Sequence, residues 1–357
     1  MLLEHYSPRS ELVVPRTELR GPAFPVVDFH GHFGPLYSEV WRAEGVQTRV
    51  GVAACVEEFR ALGIERAVNL DGWFEGFRGA RSADFWRAME AYPEFFLPFV
   101  LVDTSRASEP GFERYVREYL VDAKGRGARG IKLFKVITLG VDDGKGRFRP
   151  GKGLKLDDRR LGAIWAAAAE LGLPVLAHIA DPRAFFRPMD RFNERYEELV
   201  QHPEWRYGAP GLYEFEELLE MQESLLEGNR ATTFVIAHGG SYVEDLAWVD
   251  GALARHPNMH IDIAERINEF GRAPYSARRF FMKWQDRILF GSDAFPDGMS
   301  GRYPPYFRFL ETWDESFDPG PWNARWKIYG IGLPPEVLRK VYRGNAERML
   351  GLDGAAG

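Results

Sequence analysis

Apolar positions along the chain follow two alternating periods, and this alternation predicts a regular succession of strands and helices. Eight short runs rich in Val, Ile, Leu or Phe have the composition of strands: 26–32, 66–70, 95–102, 130–135, 174–179, 232–238, 258–263 and 287–290. Between and after them, apolar residues recur at helical spacing over 52–62, 83–91, 110–124, 158–171, 242–255, 274–285 and 334–350. The clearest helix is 158–171, because Gly172 and Pro174 stop it before the next strand.

This order of elements predicts an α/β fold in which eight strands, each followed by a helix, close into a (β/α)8 TIM barrel. An open doubly wound sheet normally has fewer strands and a phosphate-binding turn, and no G-x-G-x-x-G follows the first strand here. Residues 1–24 contain Pro8, Pro15 and Pro22 and are interpreted as an extended N-terminal extension. Residues 25–357 are then expected to form a single barrel domain.

Two segments are too long for ordinary loops between a strand and a helix. The first, 182–230, follows the fifth strand and contains helical patterns at 189–200 and 212–227. The second, 296–333, follows the eighth strand and is rich in Pro, Gly and aromatic residues. Both leave carboxyl ends of strands, so we expect them to form walls or a lid over the barrel mouth. Exposed aromatic side chains in the second insertion would favour a homodimer.

Reactive side chains occur where several of the predicted strands end. His30 and His32 end the first strand two residues apart, so their imidazoles share one face and can converge on a point, as metal ligands do. Three other apolar runs end in His178, in His238 and in Asp293. Because the carboxyl ends of barrel strands surround one mouth, we expect these five side chains to lie together.

The charge balance and the cysteine content exclude several classes of function. The 357 residues include 46 basic and 52 acidic side chains, and a net charge of −6 predicts neither a nucleic-acid nor a membrane partner. A single cysteine, Cys55, excludes an intrachain disulfide and a multi-cysteine metal site. The N-terminus has no signal-peptide pattern, and Glu170, Gly172 and Pro174 interrupt the longest apolar window. We therefore expect a soluble, cytoplasmic protein that acts on a small molecule.

Six short motifs together resemble one known family. They are DFHGH (28–32), LAHIAD (176–181), IAHGG (236–240), MHIDIA (259–264), ILFGSDAFP (288–296) and GNAERMLGL (344–352). In this order and at these strand positions, they resemble the amidohydrolase superfamily, in the branch called amidohydrolase-related or amidohydrolase-2. The resemblance extends over almost the whole chain.

Carried onto this chain, the resemblance implies one divalent metal ion held by His30, His32, His178 and Asp293. It implies that His238 lies beside the metal and polarises the substrate oxygen or shuttles protons. The residue chemistry agrees, because imidazoles and a carboxylate suit Zn²⁺, with Mn²⁺ or Fe²⁺ as alternatives, and leave a position open for water.

The predicted reaction is a hydrolysis in which metal-activated water attacks a small, carboxylated or cyclic substrate such as a lactone, ester or amide. Asp293 would accept the proton of this water and pass it to the leaving group. A decarboxylase or another lyase of aromatic or dicarboxylic acids is the alternative, since the same branch contains such enzymes. A barrel that binds a ligand without catalysis is the third possibility.

A second metal is not expected, although some members of the superfamily bridge two metals with a carboxylated lysine on strand four. Lys132 and Lys135 are three residues apart, so at most one of them lines the barrel. The amidohydrolase-2 branch usually works with one metal.

Other polar and aromatic residues are expected around the metal. Four are candidates for substrate contact, either as carboxylate-binding cations or as an aromatic wall: Arg191, Arg195, Lys132 and Trp73. Asp28 is expected to accept an imidazole N–H from a metal ligand. Asp262, Glu265 and Arg266 end the seventh strand, and any of them could reach the pocket.

Overall fold

A ring of eight parallel strands forms the centre of the molecule in the computed structural model, which describes residues 10–38, 50–77, 80–142, 148–296, 301–320 and 326–352. The strands are hydrogen-bonded in chain order. They are β1 Val26–Gly31, β2 Ile64–Gly72, β3 Phe96–Val100, β4 Gly130–Leu133, β5 Val175–Ala177, β6 Phe234–Ile236, β7 Met259–Asp262 and β8 Ile288–Leu289.

Backbone hydrogen bonds between the first and last strands close the ring. The N–H of Phe29 donates to the carbonyl of Phe290 at 2.8 Å, and the N–H of Asp293 donates to the carbonyl of His30 at 2.9 Å. The N–H of His32 donates to the carbonyl of Ala294 at 2.7 Å. The predicted (β/α)8 fold is confirmed, and its closure places the two histidines of β1 directly beside Asp293.

Helices surround this ring. Those described are Val52–Ala61, Ser82–Glu90, Phe112–Gly125, Val136–Leu139, Gly162–Leu171, Tyr196–Gln201, Phe215–Gly228, Leu246–Arg255, Ile267–Arg272, Pro274–Lys283, Tyr303–Glu311, Pro335–Arg339 and Asn345–Leu350, with a π-helical turn Lys340–Gly344 between the last two. Helix Gly162–Leu171 illustrates how these helices pack and end. Ile164 and Ala168 are buried on its inner face, and Gly172 ends it in a left-handed conformation with φ 64°. None of the described helices has both the length and the apolar content needed to span a membrane.

The hydrophobic core has two layers. Val26 and Phe96 belong to the larger layer, which packs the strands against helix residues such as Val116. The neighbouring residue Val27 belongs to a smaller layer inside the ring, together with Phe29, Val68, Leu97, Phe99, Leu176, Val235 and Leu289. Alternate residues of one strand therefore face opposite layers, as expected for a strand buried on both faces.

Both insertions differ in detail from the predicted pattern. The helix expected over 189–200 begins only at Tyr196, because the Asp190 carboxylate accepts the N–H of Phe192 at 2.8 Å and forms a turn instead. The second insertion contains helix Tyr303–Glu311.

A short antiparallel hairpin outside both insertions, Gly140–Asp142 with Phe148–Pro150, was not predicted.

The aromatic residues of the second insertion lie largely in the core. Tyr303, Tyr306, Phe307 and Phe309 are at most 2% exposed, because they pack around Phe290 and the barrel wall. Trp313, at 64% exposed, is the clear exception among those described. The argument for a homodimer from exposed aromatics therefore rests on few side chains, and Trp322 lies outside the described residues.

Candidate metal centre

Four histidines and one aspartate meet at the carboxyl ends of β1, β5, β6 and β8. The Nε2 atoms of His30 and His32 lie 3.5 and 3.3 Å from one carboxylate oxygen of Asp293. On the other side, Nε2 of His238 lies 3.1 Å from Nδ1 of His178. All four histidines are at most 8% exposed as whole residues, and the Asp293 side chain is 22% exposed. Among the described residues, the ligand atoms of His30, His238 and Asp293 lie within 4.8 Å of one another.

The imidazoles of His30 and His32 are oriented by buried carboxylates on two other strands, Asp262 on β7 and Asp71 on β2. Nδ1 of His30 is 2.8 Å from the carboxylate of Asp262, and Nδ1 of His32 is 2.7 Å from the carboxylate of Asp71. Because an ionised carboxylate only accepts hydrogen bonds, both Nδ1 atoms carry the proton. The Nε2 atoms therefore face the same Asp293 carboxylate oxygen, as ligand atoms around a shared cation would. Nε2 of His30 is fully buried and has no hydrogen-bond partner among the described residues.

His178 and His238 also place acceptor atoms where a cation could bind. Nδ1 of His238 donates to the carbonyl of Ala264 at 2.9 Å, so its Nε2 is an acceptor. Nε2 of His178 lies 3.3 Å from the carboxylate of Asp181. Whichever nitrogen of a neutral His178 carries the proton, two acceptor atoms face each other, either at His238 or at Asp181. A divalent cation on the free lone pairs would resolve this arrangement.

Protonation of His178 and His238 is unfavourable at neutral pH. Burial lowers the pKa of His178 to about 3, and burial, together with His178 and Arg266, places the pKa of His238 well below its usual value. Burial raises the pKa of Asp293, but the imidazoles of His30 and His32 and further positive groups outweigh it, so this pKa is well below its usual value. The donor set of imidazole nitrogens and one carboxylate fits a divalent metal ion.

Two lysines of the fourth strand region lie near this cluster and differ in their surroundings. Lys135 donates to Asp181 at 2.8 Å, which extends the hydrogen-bonded chain from His178. Nζ of Lys132 is buried and has no hydrogen-bond partner among the described residues. Burial lowers the pKa of Lys132 to about 8, against the opposing influence of acidic groups led by Asp293.

The turns that carry His238 and Asp293 have unusual backbone conformations. His238 has φ 57° and Asp293 has φ 60°, which is the left-handed region that non-glycine residues rarely adopt. Asp262 stabilises the first turn, because its Oδ1 accepts the N–H groups of His238 and Ala264 at 2.9 and 3.0 Å. Such conformations persist where the surrounding structure holds them, and they concentrate at functional sites.

The hydrogen-bond partners of Asp28 differ from the prediction. Its carboxylate accepts the backbone N–H of His30 at 3.0 Å, and not an imidazole N–H, and it also binds Ser292 and Tyr303. Asp262 holds the imidazole of His30 instead, and Asp71 holds that of His32.

The expected substrate contacts are distributed over different environments. The buried guanidinium of Arg195 forms ion pairs with Glu269 and with Glu198, the latter at 2.8 Å. Arg191 is exposed, and its guanidinium lies 4.8 Å from the ring centre of Phe192. The side chain of Trp73 is buried in a small cluster with Ala80 and Leu101, against which Phe74, Phe77 and Phe134 also pack. Of these four candidates, Lys132 has the surroundings expected of a ligand-binding group, because its buried Nζ has no hydrogen-bond partner among the described residues.

Three aspartates that orient the site follow strand ends, as the metal-binding candidates do. Asp71, Asp181 and Asp262 each terminate or follow an apolar run, in NLDG, HIAD and HIDIA. The same pattern that indicated the histidines could therefore have indicated all three, although only Asp262 was considered.

Comparisons with solved structures agree with the (β/α)8 fold. An uncharacterised TIM-barrel protein from Bordetella bronchiseptica is 18% identical, with a TM-score of 0.54 over 92% of this chain and 99% of that chain. 2,6-Dihydroxybenzoate decarboxylase from Rhizobium is 15% identical, with a TM-score of 0.54 over 94% and 100% of the two chains. 4-Oxalomesaconate hydratase from Rhodopseudomonas palustris is 16% identical, with a TM-score of 0.52 over 92% and 97%. At these identities the likeness shows the fold. No curated protein matches the chain in sequence.

The sequence itself carries the family relationship. The amidohydrolase family model matches residues 27–352. This match runs from β1 to the final helix and includes every strand end that contributes a histidine or Asp293 to the site. The chain therefore belongs to the amidohydrolase family, in its amidohydrolase-2 branch.

Proposed function

We propose that the protein is a metal-dependent hydrolase that acts on a small, carboxylated or cyclic substrate such as a lactone, ester or amide. The observation that carries this proposal is the set of imidazole nitrogens that face Asp293 and one another inside the barrel mouth. We assign His30, His32, His178 and Asp293 as ligands of one divalent ion, with Zn²⁺ as the first choice. Such an ion supplies the Lewis acidity that makes water a nucleophile at neutral pH.

Asp293 is the proposed proton acceptor. Its carboxylate lies beside the imidazole nitrogens and is partly open to the mouth, so it can take a proton from the attacking water. The same carboxyl group can then return the proton to the leaving group.

His238 is proposed as a proton shuttle beside the ligands. Since its Nδ1 donates to the carbonyl of Ala264, the neutral ring presents an accepting Nε2. His238 must therefore take up a proton before it can donate to a substrate oxygen. This order of events favours shuttling over the simple polarisation of the substrate.

Lys132 is proposed to bind an anionic group of the substrate. Its Nζ is buried without a hydrogen-bond partner among the described residues, and a pKa of about 8 leaves the amine mostly protonated at pH 7. A substrate carboxylate would complete its hydrogen bonds and compensate its charge.

The decisive experiment is Asp293→Asn in the Zn²⁺-loaded protein, assayed with a panel of lactones, esters and amides that carry a carboxylate. We expect turnover to fall by at least about 1000-fold with the folded state retained, because the amide cannot accept the proton. Asp250→Asn is the matched control, since Asp250 pairs with Lys283 in an exposed ion pair. A fully active Asp293→Asn variant would refute the mechanism.

One observation favours a decarboxylase as the second candidate. The ring of Phe295 stacks on His32 with a centroid distance of 5.6 Å, and Phe134 lies 6.4 Å from the same imidazole. These flat rings would suit an aromatic carboxylic acid. Release of CO₂ from aromatic acids would support this candidate, and hydrolysis of lactones without CO₂ release would exclude it for those substrates.

A further inference from the structure

The start of the helix in the second insertion contacts the turn that carries Asp293. Arg302 directly precedes helix Tyr303–Glu311, and its guanidinium donates to the backbone carbonyl of Asp293 at 2.9 Å and to that of Ser292 at 3.3 Å. Tyr303, one residue later, donates to the carboxylate of Asp28 at 2.5 Å, and that carboxylate also binds Ser292. The insertion therefore touches both residues of this turn with buried polar groups.

The same guanidinium joins this turn to the end of β7. Arg302 forms a close ion pair with Glu265, whose φ is 53°. The hydroxyl of Tyr306 accepts the N–H of Glu265 at 2.8 Å and lies 3.4 Å from the carbonyl of Ser292, to which it donates. Two adjacent strand ends are thus tied together by the side chains of one helix.

The hydrogen bond from Arg302 supports a backbone conformation at Asp293 that is unfavourable without such contacts. A left-handed conformation is unfavourable at a non-glycine residue, and the direction of the Asp293 side chain depends on it. The backbone of Asp293 is fixed on one side by its N–H bond to the carbonyl of His30. On the other side, the donor that reaches its carbonyl is Arg302.

We propose that Arg302 is a positioning residue for the metal site, and that Glu265 holds the Arg302 guanidinium in place. This inference rests on the proposed function, because it assumes that Asp293 binds a metal ion. Arg302 acts through the carbonyl of Asp293, so its removal should alter how the carboxylate meets the metal. If Arg302 served only to neutralise Glu265, loss of both charges together would leave the metal site unchanged.

The double variant Arg302→Met/Glu265→Gln separates these two readings, because it removes one charge of each sign and keeps the local net charge. We expect its affinity for Zn²⁺, measured by competition with a chromophoric chelator, to be about tenfold to 100-fold weaker than that of the wild type. The visible absorption spectrum of the Co²⁺-loaded variant should change as well, because it reports the ligand geometry. Glu265→Gln alone keeps the Arg302 donor but loses the carboxylate that holds it, so its affinity for Zn²⁺ should fall between those of the wild type and the double variant.

Two further variants make the result specific. Arg302→Lys keeps a cationic donor and should restore part of the affinity and the Co²⁺ spectrum. Arg308→Met is the matched control, since Arg308 lies on the same helix but pairs with Asp314, and it should bind Zn²⁺ as the wild type does. Zn²⁺ affinity and a Co²⁺ spectrum of the double variant equal to those of the wild type would overturn the inference. Failure of the wild type itself to bind either ion would overturn the proposed function instead.

Discussion

Lys132 is the buried charge whose compensation is least complete among the described residues of the site. Acidic groups led by Asp293 lie near it, but none of the described groups hydrogen-bonds its ammonium, and burial still lowers its pKa to about 8. A buried cation without full compensation lowers the stability of the folded state until a ligand of opposite charge binds. Residues that serve binding often carry this cost.

We therefore expect Lys132→Met to stabilise the metal-free protein by about 1–3 kcal/mol at pH 7, measured by urea unfolding. The folded state binds fewer protons than the unfolded chain between about pH 8 and pH 10.4, so wild-type stability rises with pH across this window. The advantage of the variant should accordingly shrink at pH 10. The same variant should lose affinity for carboxylated ligands. A variant that is less stable than the wild type at pH 7 would show that the amine is well compensated.

At the scale of single residues, the sequence predicted the reactive groups better than their partners. His30, His32, His178, His238 and Asp293 follow strand ends, so the barrel topology alone brings them to one mouth. Hydrogen-bond partners depend on strand register and on ring orientation, which spacing does not encode. For this reason Asp28 was expected at an imidazole, whereas Asp262 and Asp71 are found there.

Among the elements, the turn after β6 places the strongest local demand on sequence. Its four residues His238, Gly239, Gly240 and Ser241 all have positive φ, between 57° and 82°. A Cβ atom on Gly239 would lie 2.0 Å from Cγ2 of Val243. Glycine is therefore required at position 239 both for its conformation and for space.

Gly239→Ala should destabilise the protein by about 3 kcal/mol, since strain and steric overlap add. It should also weaken Zn²⁺ binding, because the shift of the turn moves His238. Gly172→Ala is the matched control: Gly172 has φ 64°, but a Cβ there meets open space, so we expect a loss of about 1 kcal/mol. Denaturant unfolding of both variants gives the comparison, and equal losses would mean that Val243 yields without cost.

The predicted strands and helices agree with the structure where the apolar pattern is regular. They disagree where a local turn or a tertiary contact determines the structure. Helix Gly162–Leu171 and the eight strands agree with their apolar patterns to within a few residues. The aromatic residues of the second insertion were expected at the surface, but Tyr303 and Phe307 lie one turn apart on a helix that packs on the barrel. The contact between Arg302 and Asp293 spans two separate segments, and no local pattern indicates it.

At the scale of the whole molecule, the site joins strands that lie far apart in the chain. His30 is on β1, His178 and His238 follow β5 and β6, and Asp293 follows β8, so an ion at their centre would cross-link opposite sides of the ring. Most of the barrel is held by its two apolar layers, which do not depend on this site. We therefore expect the apoprotein to fold and the ion to add stability to it.

The first measurement for the whole molecule is the metal content of protein purified without chelator, followed by thermal unfolding with and without Zn²⁺. We expect about one ion per chain, since among the described residues one group of His and Asp side chains lies close enough to share an ion, namely His30, His238 and Asp293. A free Zn²⁺ concentration about 1000-fold above Kd should stabilise the folded state by about 4 kcal/mol. The unfolding temperature should then rise by several degrees, and Asp293→Asn should show a smaller rise because it weakens one ligand. Two ions per chain would instead indicate a modified Lys132 as a bridge, and no binding even after Zn²⁺ or Mn²⁺ is supplied would mean that these lone pairs do not hold a metal.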